Sequence, residues 1–195
     1  MAKKKTKERI IEAADDLFYR NGFEHTSFHD IAAAVGLSRG NFYYHFKTKD
    51  DILDAVIDLR MVRTKSLLNQ WQDEGQTPME RIGCFAHILI VNMAKIKLYG
   101  CPLGTLSNEL AKLEHSHQSR AKQLFILFQD WLSQQFRALD CGEKSEEFAL
   151  HILGRSQGAA TLATVFQDEA LIRKEVDMML HWAAQVVEKT QKEKV

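Results

Sequence analysis

The stretch that most constrains this chain is residues 26–51, TSFHDIAAAVGLSRGNFYYHFKTKDD. It reads as two short helices joined by a glycine turn and running into a third. Ser27 and Asp30 stand at capping-box spacing, so a helix is expected to begin there. Phe28, Ile31, Ala32 and Val35 follow at helical spacing, and Gly36 ends the run where the turn needs a positive φ. Leu37 is the apolar peg inside the turn. Ser38 is the expected N-cap of a second helix over residues 39–44. A small-residue helix, a glycine turn and a second helix opening on polar residues is helix–turn–helix grammar.

The second helix has the make-up of a major-groove reader. Arg39 and Asn41 carry paired donors and acceptors that match guanine and adenine edges. Gly40 between them costs about 1 kcal/mol of helix stability against Ala, and its bare backbone would let the helix approach DNA closely. Phe42 and Phe46, four apart, should face inward. That leaves Tyr43, Tyr44 and His45 outward, an odd surface for an ordinary soluble helix. Thr48 should cap the next helix, whose first N–H groups, with Lys47 and Lys49, suit a phosphate.

These residues resemble the tetracycline-repressor (TetR) family of bacterial regulators. The resemblance rests on Thr26, Ile31-Ala32, Ala34-Val35-Gly36, Ser38, Gly40, Phe42-Tyr43-Tyr44-His45-Phe46, Lys49 and Leu53, with the preceding helix and Phe23. It covers about the first 55 residues, and the tail FYYHFKTKDDIL is its most specific part. Pattern and resemblance together lead to an all-α expectation of about nine helices. Residues 1–47 would form a three-helix DNA-binding head, and residues 48–195 a larger body for ligand binding and dimerisation. The function expected is that of a transcriptional repressor: a homodimer on double-stranded operator DNA, released by a small-molecule effector. Arg39, Asn41 and Tyr44 are expected at base edges, with Gly40 allowing the approach. Thr26, Ser38, Tyr43, His45 and Lys49 are expected at phosphates.

Composition agrees with a helical protein: two prolines and ten glycines in 195 residues, with few β-branched runs. The 45% hydrophobic content suffices for one sizeable core or for a small head and a larger body. Net charge is zero, so the molecule as a whole is no polycation, but Lys3, Lys4, Lys5, Lys7 and Arg9 face Glu8 alone in the first ten residues. Residues 2–7 are expected to be a flexible basic arm, against DNA or simply solvated. The lysines are not followed by an apolar signal region, and the apolar run near residues 84–94 is interrupted by His87 and Asn92. No membrane association is expected, and the cytoplasm is the default location. Cys84, Cys101 and Cys141 make neither a disulfide framework nor a zinc motif.

Further on, helices are expected over residues 6–21, 50–72, 79–98, 119–139, 146–167 and 168–189, with another opening at Pro102. Cys101 would sit at that last N-terminus, where a helix dipole favours a thiolate. It is either a turn filler or a thiol that senses oxidants or electrophiles. The segment GCPLGTLSNEL also resembles, less specifically, body segments of TetR-family members that sense electrophiles or small organic acids. Candidate pocket residues are His87, Asn92, Cys101, Thr105, Phe128, Trp131 and Gln157. His115 and His117, two apart, do not share a helix face and show no third ligand nearby, so neither metal nor cofactor is expected. The last two helices carry surplus apolar surface, which a two-fold dimer would cover. Its candidates are Gly154, Gly158, Leu162, Val176, Met179, Leu180, Ala183 and Val187. Two rival classes remain. A cysteine-dependent enzyme around Cys101 would lack an evident activating His–Asp pair. An architectural DNA binder would need no ligand.

Overall fold

The computed structural model describes residues 2–193, with the side chains of residues 2–4 and of Arg39 outside the description. Among the described residues there are ten α-helices and no strand. They are α1 (Ala2–Asn21), α2 (Phe28–Val35), α3 (Arg39–His45), α4 (Lys49–Glu74), α5 (Pro78–Val91), α6 (Met93–Tyr99), α7 (Pro102–Lys112), α8 (Gln118–Ala138), α9 (Ser145–Phe166) and α10 (Glu169–Lys192). A single 3-10 turn, Gly142–Lys144, precedes α9.

The helix starts follow local chemistry. Ser27 Oγ accepts the Asp30 N–H at 3.2 Å while the Asp30 carboxylate accepts the Ser27 N–H at 2.8 Å, so the capping box of α2 is closed both ways. Thr77 and Glu80 do the same for α5, with Pro78 at its first position. Gly36 ends α2 at φ 67, a left-handed conformation that a side chain would strain. Leu37 N–H then closes onto Ala32 O at 3.0 Å.

Two expectations fail here. The arm expected over residues 2–7 is helical, because α1 begins at Ala2. The single helix expected over residues 79–98 is two, which raises the count from nine to ten. The break is at Asn92, whose side-chain amide donates to Ile88 O at 3.0 Å and whose backbone leaves the helical region at ψ 7. A short amide that satisfies the preceding turn competes with the helix ladder.

The chain divides into two compact units, and the division is not at residue 47. The first comprises Met1–Arg63 with Thr105–Lys122, the second Thr64–Gly104 with Gln123–Val195. The core of the first holds Ile10, Ala14 and Phe18 of α1, Ile31 and Val35 of α2, and Phe42 of α3, with Ile52, Leu53, Val56 and Ile57 of α4. It is completed by Leu106, Leu110 and Ala121, far along the chain. Three helices alone therefore do not close the head. In the second unit α10 packs along α9 and α5, and α6 along α9. No single helix among the described residues is long and apolar enough to cross a membrane.

Candidate nucleic-acid interface

The reading helix α3 is seated by its phenylalanines. Phe42 and Phe46 are buried as the spacing required. Phe28 meets Phe42 edge-on, with ring centres 5.3 Å apart, and stacks on Tyr43 at 5.3 Å and 22°. Tyr43 is thus half-buried against α2 and not fully outward, because an aromatic ring gains more from a facing ring than from water. Asn41 is exposed and Tyr44 is 62% exposed, its ring edge-on to half-buried His45. The side chain of Arg39 lies outside the described residues. Gly40 is exposed, and a Cβ built there would meet nothing within 4 Å. Nothing in the chain's own packing demands a glycine at that position. A groove of about 540 Å³ opens between α2 and α3, lined by Ser27, Phe28, Ala32, Leu37 and Tyr43 among others.

The phosphate candidates fare unevenly. Ser38 stands exposed at the N-cap of α3 and its hydroxyl makes no cap hydrogen bond. Thr26 corrects the expectation: it is wholly buried, and its hydroxyl donates to Gly22 O at 2.7 Å, holding the turn before α2. Lys49 is likewise engaged, donating to Phe23 O at 3.0 Å and Glu24 O at 3.2 Å, with its ammonium 4.3 Å from the centre of the Phe23 ring. The N–H groups expected to meet a phosphate before α4 already have an anion. The Asp51 carboxylate accepts Thr48 N–H at 2.9 Å and Lys47 N–H at 3.1 Å. The Thr48 N–H first, then the Thr48 hydroxyl and the Lys47 N–H, hold the Asp51 carboxyl below its usual range. Of the expected basic arm, Lys7 lies over the Phe46 ring at 5.3 Å, and just beyond it Arg9 donates to Val35 O at 3.0 Å. Lys3 and Lys4 lie outside the described side chains.

Sequence reasoning missed two residues that fix this head. Glu109 of α7 accepts the N–H groups of both Phe23 and Glu24 at 2.8 Å. With Lys49 on the carbonyls of the same two residues, the turn between α1 and α2 is gripped through donors and acceptors alike. Arg60 is 6% exposed and donates to Asp15 at 2.6 Å, joining α4 to α1, and Arg63 adds a second contact to Asp15 at 3.0 Å. An arginine interrupting an apolar run was the available signal for Arg60. Glu109 offered none beyond its place beside Leu110.

The pocket candidates differ in their surroundings. His87 and Thr105 are exposed, and the His87 ring is tied to Gly83 O at 2.8 Å. Asn92 is used in the helix break described above. Phe128 and Trp131 are core: with Trp71 and Phe85 they form a buried aromatic cluster whose neighbouring ring centres are 5.6 to 6.3 Å apart. Cys101 and Gln157 both lie beside Gly104, whose N–H donates to Cys101 Sγ at 3.5 Å. Burial pushes the Cys84 thiol up, and the Glu74 charge adds to it.

The dimer candidates divide by face. Val176, Met179, Ala183 and Val187 of α10 are buried in their own chain, and Leu180 is half-buried, so the buried four cannot meet a partner. Gly154, Gly158 and Leu162 of α9 are exposed, joined by Leu150, Val165 and Phe166. Spacings of four place 150, 154, 158, 162 and 166 on one stripe.

A buried aromatic seat under a short helix that presents Gly40, Asn41 and Tyr44 to solvent defines a helix–turn–helix DNA-binding regulator. The model of bacterial regulatory proteins of the tetR family matches residues 10–56. An HTH-type transcriptional regulator in the lacX 3′ region of Lactococcus lactis subsp. lactis is 30% identical over 178 residues, covering 89% of this chain and 91% of that protein. The HTH-type transcriptional regulator TtgR of Pseudomonas putida is 33% identical over 85 residues, 44% of this chain and 40% of its own length. A TetR transcriptional regulator from Legionella pneumophila has a solved structure at TM-score 0.79 and 27% identity, over 89% of this chain and 94% of that one. The chain belongs to the tetR family of bacterial transcriptional regulators.

Proposed function

We propose that this regulator is a repressor that binds a near-palindromic operator as a homodimer and leaves it when a small molecule binds the body. In this division of labour residues 1–47 make the DNA contacts and residues 48–195 hold the effector and the partner subunit. Two heads would enter successive major grooves roughly 34 Å apart. Arg39, Asn41 and Tyr44 read base edges; Ser38 and His45 meet phosphates, and Tyr43 does so by its phenolic edge.

The observation that carries this reading is Gly40. It costs helix stability, its Cβ would meet open space, and its neighbours Asn41 and Tyr44 are exposed. A residue that the chain's own packing does not need, in the middle of the exposed face, is accounted for by a surface that must come close. The effector is proposed to be apolar and to insert beside the rings of Trp71, Phe85, Phe128 and Trp131, an aromatic cluster of the second unit. It releases DNA only by preferring a body geometry in which the heads are wrongly spaced.

The test is operator selection followed by titration of single-base variants with wild type and Asn41→Ala. The variant should lose discrimination at one base position by about 1–3 kcal/mol and keep it elsewhere. An unchanged preference at every position sinks the assignment of Asn41.

A further inference from the structure

His115 and His117 lie in the turn between α7 and α8, where Glu114 at φ 48 reverses the chain. The turn removes the objection that two histidines two apart cannot share a helix face, and the first turn of α4 supplies a third group. Each of Asp50, His115 and His117 has a ligand atom within 4.8 Å of the others'. His115 Nε2 is 3.5 Å from Asp50 Oδ1, and the two histidine side chains are only 15% and 17% exposed. The neighbouring carboxylates are already matched: Arg120 holds Asp54 and Asp58, and His117 Nε2 is 2.9 Å from Asp54.

We propose that Asp50, His115 and His117 form a binding site for a divalent transition ion of the zinc and cobalt class. Two imidazole nitrogens and one carboxylate suit a borderline-soft ion and not magnesium or calcium, which take oxygen ligands. Three protein ligands leave a position for water. Bonds of about 2.0–2.1 Å would draw the three groups closer than they stand, and Asp50, whose side chain is 52% exposed, has the freedom to move. The ion takes the place of a proton on each Nε2, and that proton moves to Nδ1 of the same ring. At His117 it meets Ser116 Oγ, 3.1 Å away. At His115 it displaces the His117 N–H, now 3.2 Å from Nδ1, so that turn hydrogen bond is given up together with the contact of His117 Nε2 to Asp54, which Arg120 continues to hold. Arg120 keeps Asp54 neutralised, so Asp50 is the ion's single carboxylate. Bound there, the ion would pin the start of α4 to the turn at residues 113–117 within the same unit.

The test uses the full chain, stripped with a chelator and kept reduced, and titrated with Co2+ alone while its visible spectrum and melting temperature are followed. The expected result is one ion per chain with d–d bands, no thiolate-to-metal band, and a melting temperature that rises with Co2+. His117→Ala should lose the bands and the rise. Asp50→Asn, a change at an exposed side chain, should weaken binding while the protein without metal still binds operator. The proposal is overturned if wild type takes up no Co2+, if both variants bind it as wild type does, or if a thiolate band places the ion on a cysteine.

Discussion

Gly40 separates two properties that most residues of a reading helix combine. Ala at this position adds a Cβ in open space and removes the entropy cost of glycine, so Gly40→Ala should stabilise the fold by up to about 1 kcal/mol. The same methyl would stand between α3 and a base edge, so operator affinity should fall. Thermal melting and a binding titration on one preparation decide the matter; a variant that is more stable and binds as well as wild type would remove Gly40 from the interface. Lys49 behaves in the opposite way. Its ammonium is committed to the Phe23 and Glu24 carbonyls, so a loss of binding in Lys49→Ala would come with a loss of stability. Its position in the sequence suggested a phosphate ligand, and only the distance to residues 25 and 26 positions upstream showed that it also holds the turn.

At the scale of the element, α2 depends on a carboxylate. Asp30 is held below its usual carboxyl range, chiefly by the Ser27 hydroxyl and then by the Ser27 N–H. A depressed folded-state pKa means that the stabilisation is present above the unfolded value, near 3.9, and is lost as pH falls through the lower folded value. Asp51 before α4 adds to the same trend. Wild type should therefore lose stability on acidification below pH ~4 more steeply than Asp30→Asn, as thermal melts across that range would show; parallel curves would refute it. These caps were legible because they are local. A box needs only four residues, and the glycine turn and the Phe42–Phe46 spacing need no knowledge of the rest of the chain. Glu109 was not legible, because its partner lies 86 positions away and periodicity names a buried face without naming what covers it. His87 was misread for a related reason. A polar residue on an apolar helix marks the solvent side more often than a pocket, and His87 is exposed.

At the scale of the whole molecule the question is what covers α9. Leu150, Leu162 and Phe166 are 43 to 65% exposed, on the stripe that carries Gly154 and Gly158, and exposed Val165 adjoins it in sequence. Small residues at spacings of four allow close approach of another helix, and apolar residues beside them supply the gain. Charging the stripe with Leu162→Glu and Phe166→Glu should convert the proposed dimer to a monomer in sedimentation and weaken operator binding, while circular dichroism stays unchanged. A double variant that still sediments as a dimer would place the partner surface elsewhere. Composition indicated that α9 and α10 had surplus apolar surface, but not how to share it between the chain's own core and a partner. That choice depends on packing: Val176 and Met179 went inward and Phe166 outward.

The grip of Glu109 and Lys49 on residues 23 and 24 has a consequence for the timing of motion. A turn between helices ordinarily exchanges its amide hydrogens with solvent quickly, since local opening costs little. Here the amides of Phe23 and Glu24 end on a carboxylate carried by α7, and the carbonyls of the same residues end on an ammonium carried by α4. In heavy water these two amides should exchange as slowly as the helices that hold them, and Glu109→Gln should release them while leaving the rest of α1 protected.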